Sequence, residues 1–236
     1  MRIQSILRSE HGQLILLLTA IIYLGWSVSW YMQHNDVWGI AYYAQKMTFE
    51  DLPSLYNKFY PLGYALFLKS VPINQIELSC YILNALFVTL IVLQISRILL
   101  PAVTKRWAVI LAALSYFLLP LHFKYAVTPS PDGPASAFIA IAATLIFKWN
   151  FFDDDKGRFW RAGVTGLAFG GAALFRYHTQ SVFAITLLFF LLTKRRRSVA
   201  IIAPMIGGFM IATLPQSIVS MLAGQMPFQS DFKIMV

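Results

Sequence analysis

Residues 76–99 read IELSCYILNALFVTLIVLQISRIL, with one carboxylate at the second position and one arginine near the end. Between Glu77 and Arg97 no side chain is charged. A helix needs about 20 largely apolar residues to cross the roughly 30 Å hydrocarbon layer of a bilayer, and this stretch supplies them. Upstream, Gly12–Tyr31 passes the same test. Downstream, Trp107–Tyr125 and Gly133–Trp149 are shorter spans with proline at an edge. Ala162–Thr193 is too long for one helix and carries Arg176, Tyr177 and His178 near its middle. It therefore divides into spans at 162–176 and 179–193, with a hairpin at Arg176–Gln180. Val199–Leu222 makes the seventh. The expected fold is all-α, a polytopic membrane helical bundle of about seven transmembrane helices in one domain over residues 1–236.

Composition agrees. The 236 residues are 58% hydrophobic and only 12% charged, with a mean hydropathy of +0.64. A soluble domain is about a quarter charged, so here the surface as well as the core must be apolar. A net charge of +9 would suggest nucleic acid in a soluble protein. Here the basic residues lie between apolar runs and report topology instead, so no nucleic-acid partner is expected. The single cysteine, Cys80, has no partner for an internal disulfide.

Lysine and arginine favour the cytoplasmic side of short loops. With the N-terminus inside, that side holds Arg2, Arg8, Arg97, Lys105, Arg106, Lys148, Lys156, Arg158, Arg161 and Lys194–Arg197. The outer side holds only Lys46, Lys58, Lys69, Lys124, Arg176 and Lys233. The expected location is an inner or plasma membrane, with the N-terminus cytoplasmic and the C-terminus extracytoplasmic. The first span has a longer apolar core than a secretory leader, and bulky Trp26, Trp30 and Tyr31 at its end, so it reads as an uncleaved anchor.

The long segment 32–75 falls on the outer side and is aromatic and amphipathic, so it should lie on the membrane. A short interfacial helix opened by Asn35 or Asp36 runs to Lys46. After Pro53, Tyr60-Pro61-Leu62-Gly63-Tyr64 opens a second apolar helix ending before Pro72.

Three places on this outer face hold residues capable of chemistry. Asp36 follows the first span, where a carboxylate could take a proton from an acceptor hydroxyl. It also occupies the position of a helix N-cap, which position alone favours. Asp132, in Ser130-Pro131-Asp132-Gly133-Pro134, again has the place of a helix start. A functional Asp132 would assist Asp36 by hydrogen bonding, by orienting the acceptor or by holding a divalent cation. Arg176 could snorkel to headgroups or grip a phosphate, which guanidinium geometry suits. His178 beside it would support the hairpin or bind substrate. Tyr43 and Tyr60 could stack on a sugar or a lipid chain, or form an interfacial aromatic belt. Asp153-Asp154-Asp155 reads as a solvated loop. Among the glycines 163, 166, 170 and 171, the Gly-x-x-x-Gly spacing permits close helix packing.

Taken in order, four patterns resemble the GT-C class of membrane glycosyltransferases, closest to the dolichyl-phosphate-mannose-protein mannosyltransferase and aminoarabinose-transferase type. They are Asn35-Asp36 followed by Tyr42-Tyr43-Ala44, the Tyr60–Tyr64 stretch, Ser130–Pro134, and Gly166–Tyr177 with its glycine-rich run ending in arginine. The resemblance implies transfer of a sugar from a polyprenyl-phosphate donor to an acceptor hydroxyl on the extracytoplasmic face, with inversion. It implies Asp36 as catalytic base and, more weakly, Arg176 as a grip on donor phosphate. Asp132, His178, Tyr43 and Tyr60 would bind substrate. No cofactor is specified beyond a divalent cation at Asp132, and membrane lipid and the polyprenyl-phosphate sugar are the expected partners. Family members usually continue with further spans, so this chain covers the N-terminal module. A second membrane subunit supplying the other half, a non-catalytic subunit and a transporter or flippase are the alternative readings. Transport predicts ionisable residues at mid-span, and those are scarce here.

Overall fold

The computed structural model describes residues 35–56, 61–99, 107–108, 110–112, 130–148, 158–193 and 198–226, with backbone alone at 35–38, 77, 81, 99, 158, 193 and 198. Seven α-helices carry most of these residues: α1 (Asn35–Lys46), α2 (Leu62–Lys69), α3 (Ile76–Leu99), α4 (Asp132–Lys148), α5 (Arg158–Ala173), α6 (Thr179–Thr193) and α7 (Ser198–Leu222). Short 3-10 turns at Leu52–Leu55 and Ile73–Gln75 precede α2 and α3. No strand occurs among the described residues.

A helix is present over the expected residues as α1, and α2 ends before Pro72 as anticipated. Pro53 lies inside the first 3-10 turn, where its fixed φ suits an initial helical position. The expected spans 76–99, 133–149, 179–193 and 199–222 correspond to α3, α4, α6 and α7 within a residue. The span drawn at 162–176 does not: α5 begins at Arg158 and ends at Ala173, and the chain reverses over Leu174–His178 rather than Arg176–Gln180. The Phe175 and Arg176 amides both donate to the Ala172 carbonyl at 3.0 Å, where α5 ends, and the Thr179 amide and hydroxyl donate to the Arg176 carbonyl at 3.2 and 2.7 Å, where α6 begins as expected. The spans expected at 12–31 and 107–125 lie wholly or mostly outside the described residues, as does Asp153-Asp154-Asp155.

Two described helices are long and apolar enough to cross a bilayer, Leu78–Ile98 and Val199–Leu222, and less than half of each is buried within the protein (41% and 39%). Helix α6, at 15 residues, rises only about 22 Å. Its Ile185, Leu188, Phe189 and Leu192 are exposed, as are Met210, Ile211 and Leu214 on α7. Such continuous apolar exposure suits a hydrocarbon solvent and not water.

The tightest packing is between α5 and α7. A Cβ at Gly166 would overlap the Met205 carbonyl, and one at Gly208 would overlap the Gly163 carbonyl. Without side chains at these points the two backbones touch, as small-residue faces allow in membranes. Phe183 of α6 stacks on Phe209 of α7 with centroids 4.4 Å apart and meets Phe169 of α5 at 5.3 Å, so α6 closes over this crossing. Pro204 and Pro215 sit within α7 without ending it, a tolerance typical of membrane helices because neighbouring groups meet the freed backbone atoms. On the other side α4 packs against both α3 and α5. The segment before α3 has its own core, in which Ile40 and Ala44 of α1 and Met47 just after it cluster with Leu62, Ala65 and Leu68 of α2 and with Val219 of α7.

Candidate functional site

One end of the bundle gathers the start of α4, the turn between α5 and α6, the C-terminal half of α7 and the start of α2. Helix α4 begins with a local device: the Ser130 hydroxyl accepts the Asp132 amide at 3.2 Å, and the Pro131 carbonyl accepts the Ala135 amide at 3.3 Å. Serine thus does the capping that the sequence offered to Asp132. The Asp132 carboxylate is left for a distant partner, accepting Arg176 Nη2 at 2.7 Å. The two side chains are only 17% and 24% exposed, so the pair is partly withdrawn from solvent. Arg176 Nε is buried with no hydrogen-bond acceptor among the described residues.

Aromatic rings support this pair. Phe175, next to Arg176, stacks on Phe138 of α4 with centroids 5.9 Å apart and meets Phe87 of α3 edge-on at 6.4 Å. Tyr64 of α2 is fully buried, hydrogen-bonded to the Cys80 thiol and close enough to feel the charges of both Arg176 and Asp132. Burial, with the Cys80 contact, holds its phenol well above the usual tyrosine range. Tyr177 is also buried, and its phenol is pushed up by desolvation and then by Tyr56 and Tyr43 nearby. Tyr43 itself donates to the Leu55 carbonyl, and its phenol is likewise raised by burial.

Of the residues singled out in the sequence, the fold brings Asp132 and Arg176 into contact. Tyr43 belongs to the neighbouring tyrosine group, and His178 sits exposed on the turn with its carbonyl accepting the Ser181 amide. Asp36 is the second residue of α1, but its side chain, like all of Tyr60, lies outside the described residues. For a divalent cation at Asp132 the setting is unfavourable, because the carboxylate already faces a guanidinium. Among the described residues no group of three or more His, Cys, Asp or Glu gathers to hold a metal.

Three polar residues here were given no individual role from the sequence: Tyr64 and Tyr177, which fall inside the quoted patterns, and Gln216. Gln216 was the legible one, an amide inside an otherwise apolar span, and such residues usually have a role. It is 4% exposed; its Oε1 accepts the Leu62 amide at 2.8 Å, and its Nε2 donates to the Tyr177 hydroxyl at 3.2 Å.

No curated protein and no solved structure matches the chain significantly. A family model does, that of the dolichyl-phosphate-mannose-protein mannosyltransferases, over residues 55–220. The match includes Tyr60, Asp132, Arg176 and His178, while Asp36 and Tyr43 precede it. Since it covers well over half of the chain, and the pair of Asp132 and Arg176 falls within it, the protein belongs to the dolichyl-phosphate-mannose-protein mannosyltransferase family.

Proposed function

We propose that this protein takes part in sugar transfer from a polyprenyl-phosphate donor to an acceptor hydroxyl on the extracytoplasmic face, as a bundle of seven spans with the N-terminus inside. The family's description makes mannose the first sugar to test and a protein hydroxyl the first acceptor. The observation that carries the reading is the Asp132–Arg176 pair, partly buried, with the guanidinium held along one edge and its Nε still lacking an acceptor. A guanidinium so held is pre-organised for a phosphate oxygen.

In this mechanism the donor enters sideways from the outer leaflet and its phosphate meets Arg176. Asp36 accepts the proton of the acceptor hydroxyl as that oxygen attacks the anomeric carbon from the face opposite the phosphate. The new C–O bond forms while the sugar–phosphate C–O bond breaks, and the lipid phosphate leaves with the electron pair. Configuration at the anomeric carbon inverts. The leaving group is stable as an anion beside Arg176, so no second carboxylic acid need protonate it, unlike the paired carboxylates of glycosidases. Asp132 orients Arg176, and His178, Tyr43 and Tyr60 contact the sugar or the lipid chain.

The test is mannosyl transfer from a polyprenyl-phosphate mannose in membranes holding wild type, Asp36→Asn or Arg176→Gln at matched abundance. Asparagine can still cap a helix but cannot take the proton. Loss of transfer in both variants is expected; full activity of Asp36→Asn would refute the base assignment.

A further inference from the structure

Helix α7 is apolar along most of its length, yet it buries a carboxamide about 9 Å from its outer end. Gln216 follows Pro215, and a buried amide is costly unless its donors and acceptors are met. Every described bond it makes leads to the outer end. Leu62 N–H is a donor only, so the atom facing it at 2.8 Å must be Oε1, which fixes the orientation of the amide. Nε2 then points to the Tyr177 hydroxyl at 3.2 Å and the Ser220 hydroxyl at 3.4 Å.

The partners are not arbitrary. The first N–H groups of a helix have no intrahelical acceptor, and α2 is preceded by Pro61, which offers no side-chain cap. Gln216 takes the first of these amides from another helix. The next, Gly63 N–H, goes to the Leu174 carbonyl at 2.8 Å. A Cβ at Gly63 would lie 2.7 Å from that carbonyl, so glycine is what lets α2 approach the turn so closely. The turn carrying Arg176 is thereby held at Leu174 by α2, at Arg176 by Asp132 and at Tyr177 by Gln216.

We propose that Gln216 is a positioning residue for lipid-phosphate recognition: by joining α7 to the start of α2 and to Tyr177, it sets the placement of Arg176 toward the donor. The inference rests on the reading of Arg176 as the donor-phosphate contact. Gln216 touches no reacting atom. Its influence passes through Tyr177 and the turn, so it should appear in donor recognition more than in the chemical step.

Two variants test it: Gln216→Leu, which keeps the bulk and removes every side-chain bond, and Tyr177→Phe, which removes one hydroxyl. Each is compared with wild type for transfer from a polyprenyl-phosphate mannose and for amide hydrogen exchange at Thr179, Gln180 and Ser181. The expected result is a KM for donor raised about tenfold in Gln216→Leu and Tyr177→Phe, with kcat within about twofold. The double variant should be no worse than the worse single, because both remove one link. Exchange at the three amides should quicken in both singles. Strictly additive losses, or faster exchange with unchanged KM, would overturn the proposal. Should wild type transfer no sugar, the reading of Arg176 falls. Unchanged exchange in Tyr177→Phe would overturn the positioning role itself, since that variant removes one hydroxyl without leaving a cavity.

Discussion

Asp132 and Arg176, 44 residues apart, meet at 2.7 Å where the start of α4 faces the turn after α5. The Ser130 hydroxyl has already taken the Asp132 amide, so the carboxylate is free for the guanidinium. Both side chains keep some solvent contact, which places the pair between an exposed ion pair and a buried one. Its coupling should therefore be about 1–2 kcal/mol, above exposed-pair values and below buried ones. A double-mutant cycle with Asp132→Ala and Arg176→Ala, followed by thermal unfolding in detergent, measures it. Fully additive destabilisation would mean that the two side chains do not interact.

The α5–α7 crossing separates glycines by what surrounds them. Gly166→Ala and Gly208→Ala would each drive a methyl into a facing carbonyl and should cost about 1–3 kcal/mol, the usual range for overpacking. Gly207→Ala meets nothing within 4 Å and removes a flexible residue from a helix, so it should be neutral or stabilising by up to about 1 kcal/mol. Thermal unfolding of the three variants side by side checks this. Equal effects at Gly207 and Gly208 would contradict the contact geometry.

Alkaline pH should destabilise the packing around Tyr43 and Tyr177. Burial holds the Tyr43 and Tyr177 phenols above the ordinary 10.0. An acid with a raised folded pKa ionises first in the unfolded chain, so its contribution to stability is complete below about pH 10. That contribution is lost as pH rises from there toward the folded pKa. Phenolate absorbance gives the readout: near pH 11, folded Tyr43→Phe and Tyr177→Phe should show the same signal as folded wild type. A signal lower by one tyrosine in either variant would show that the phenol in question titrates in the native state.

Orientation is open to direct labelling. In a Cys80→Ala background, the thiol of His178→Cys should react with an impermeant maleimide in intact cells, since His178 is exposed on the outer turn of the proposed topology. The thiol of Lys194→Cys should react only after the membrane is permeabilised. The opposite pattern would invert the topology and move the Asp132–Arg176 pair to the cytoplasmic side.

Much of the architecture was legible in residue order. Apolar runs punctuated by proline, glycine and charge located the helices α3, α4, α6 and α7 almost to the residue, although only α3 and α7 are long enough to cross a bilayer. The α5–α6 reversal was placed two residues late. Arg176 drew attention as the obvious break in apolarity, but the chain had already left helix geometry at Leu174, where the Phe175 and Arg176 amides both turn to the Ala172 carbonyl.

The sequence by itself determined an all-helical chain with an apolar surface, a segment rich in aromatics ahead of α3 and a short set of candidate polar residues. Those properties follow from hydropathy and period, which depend on neighbours within a few turns of helix. Only the tertiary structure decided which polar groups become partners. That Asp132 hands its capping role to Ser130 and turns to Arg176, and that Gln216 serves an amide of α2 and the hydroxyl of Tyr177, depends on helices far apart in sequence meeting at one end. Buried polar atoms must find a partner wherever packing provides one, and residue order carries no distance between segments.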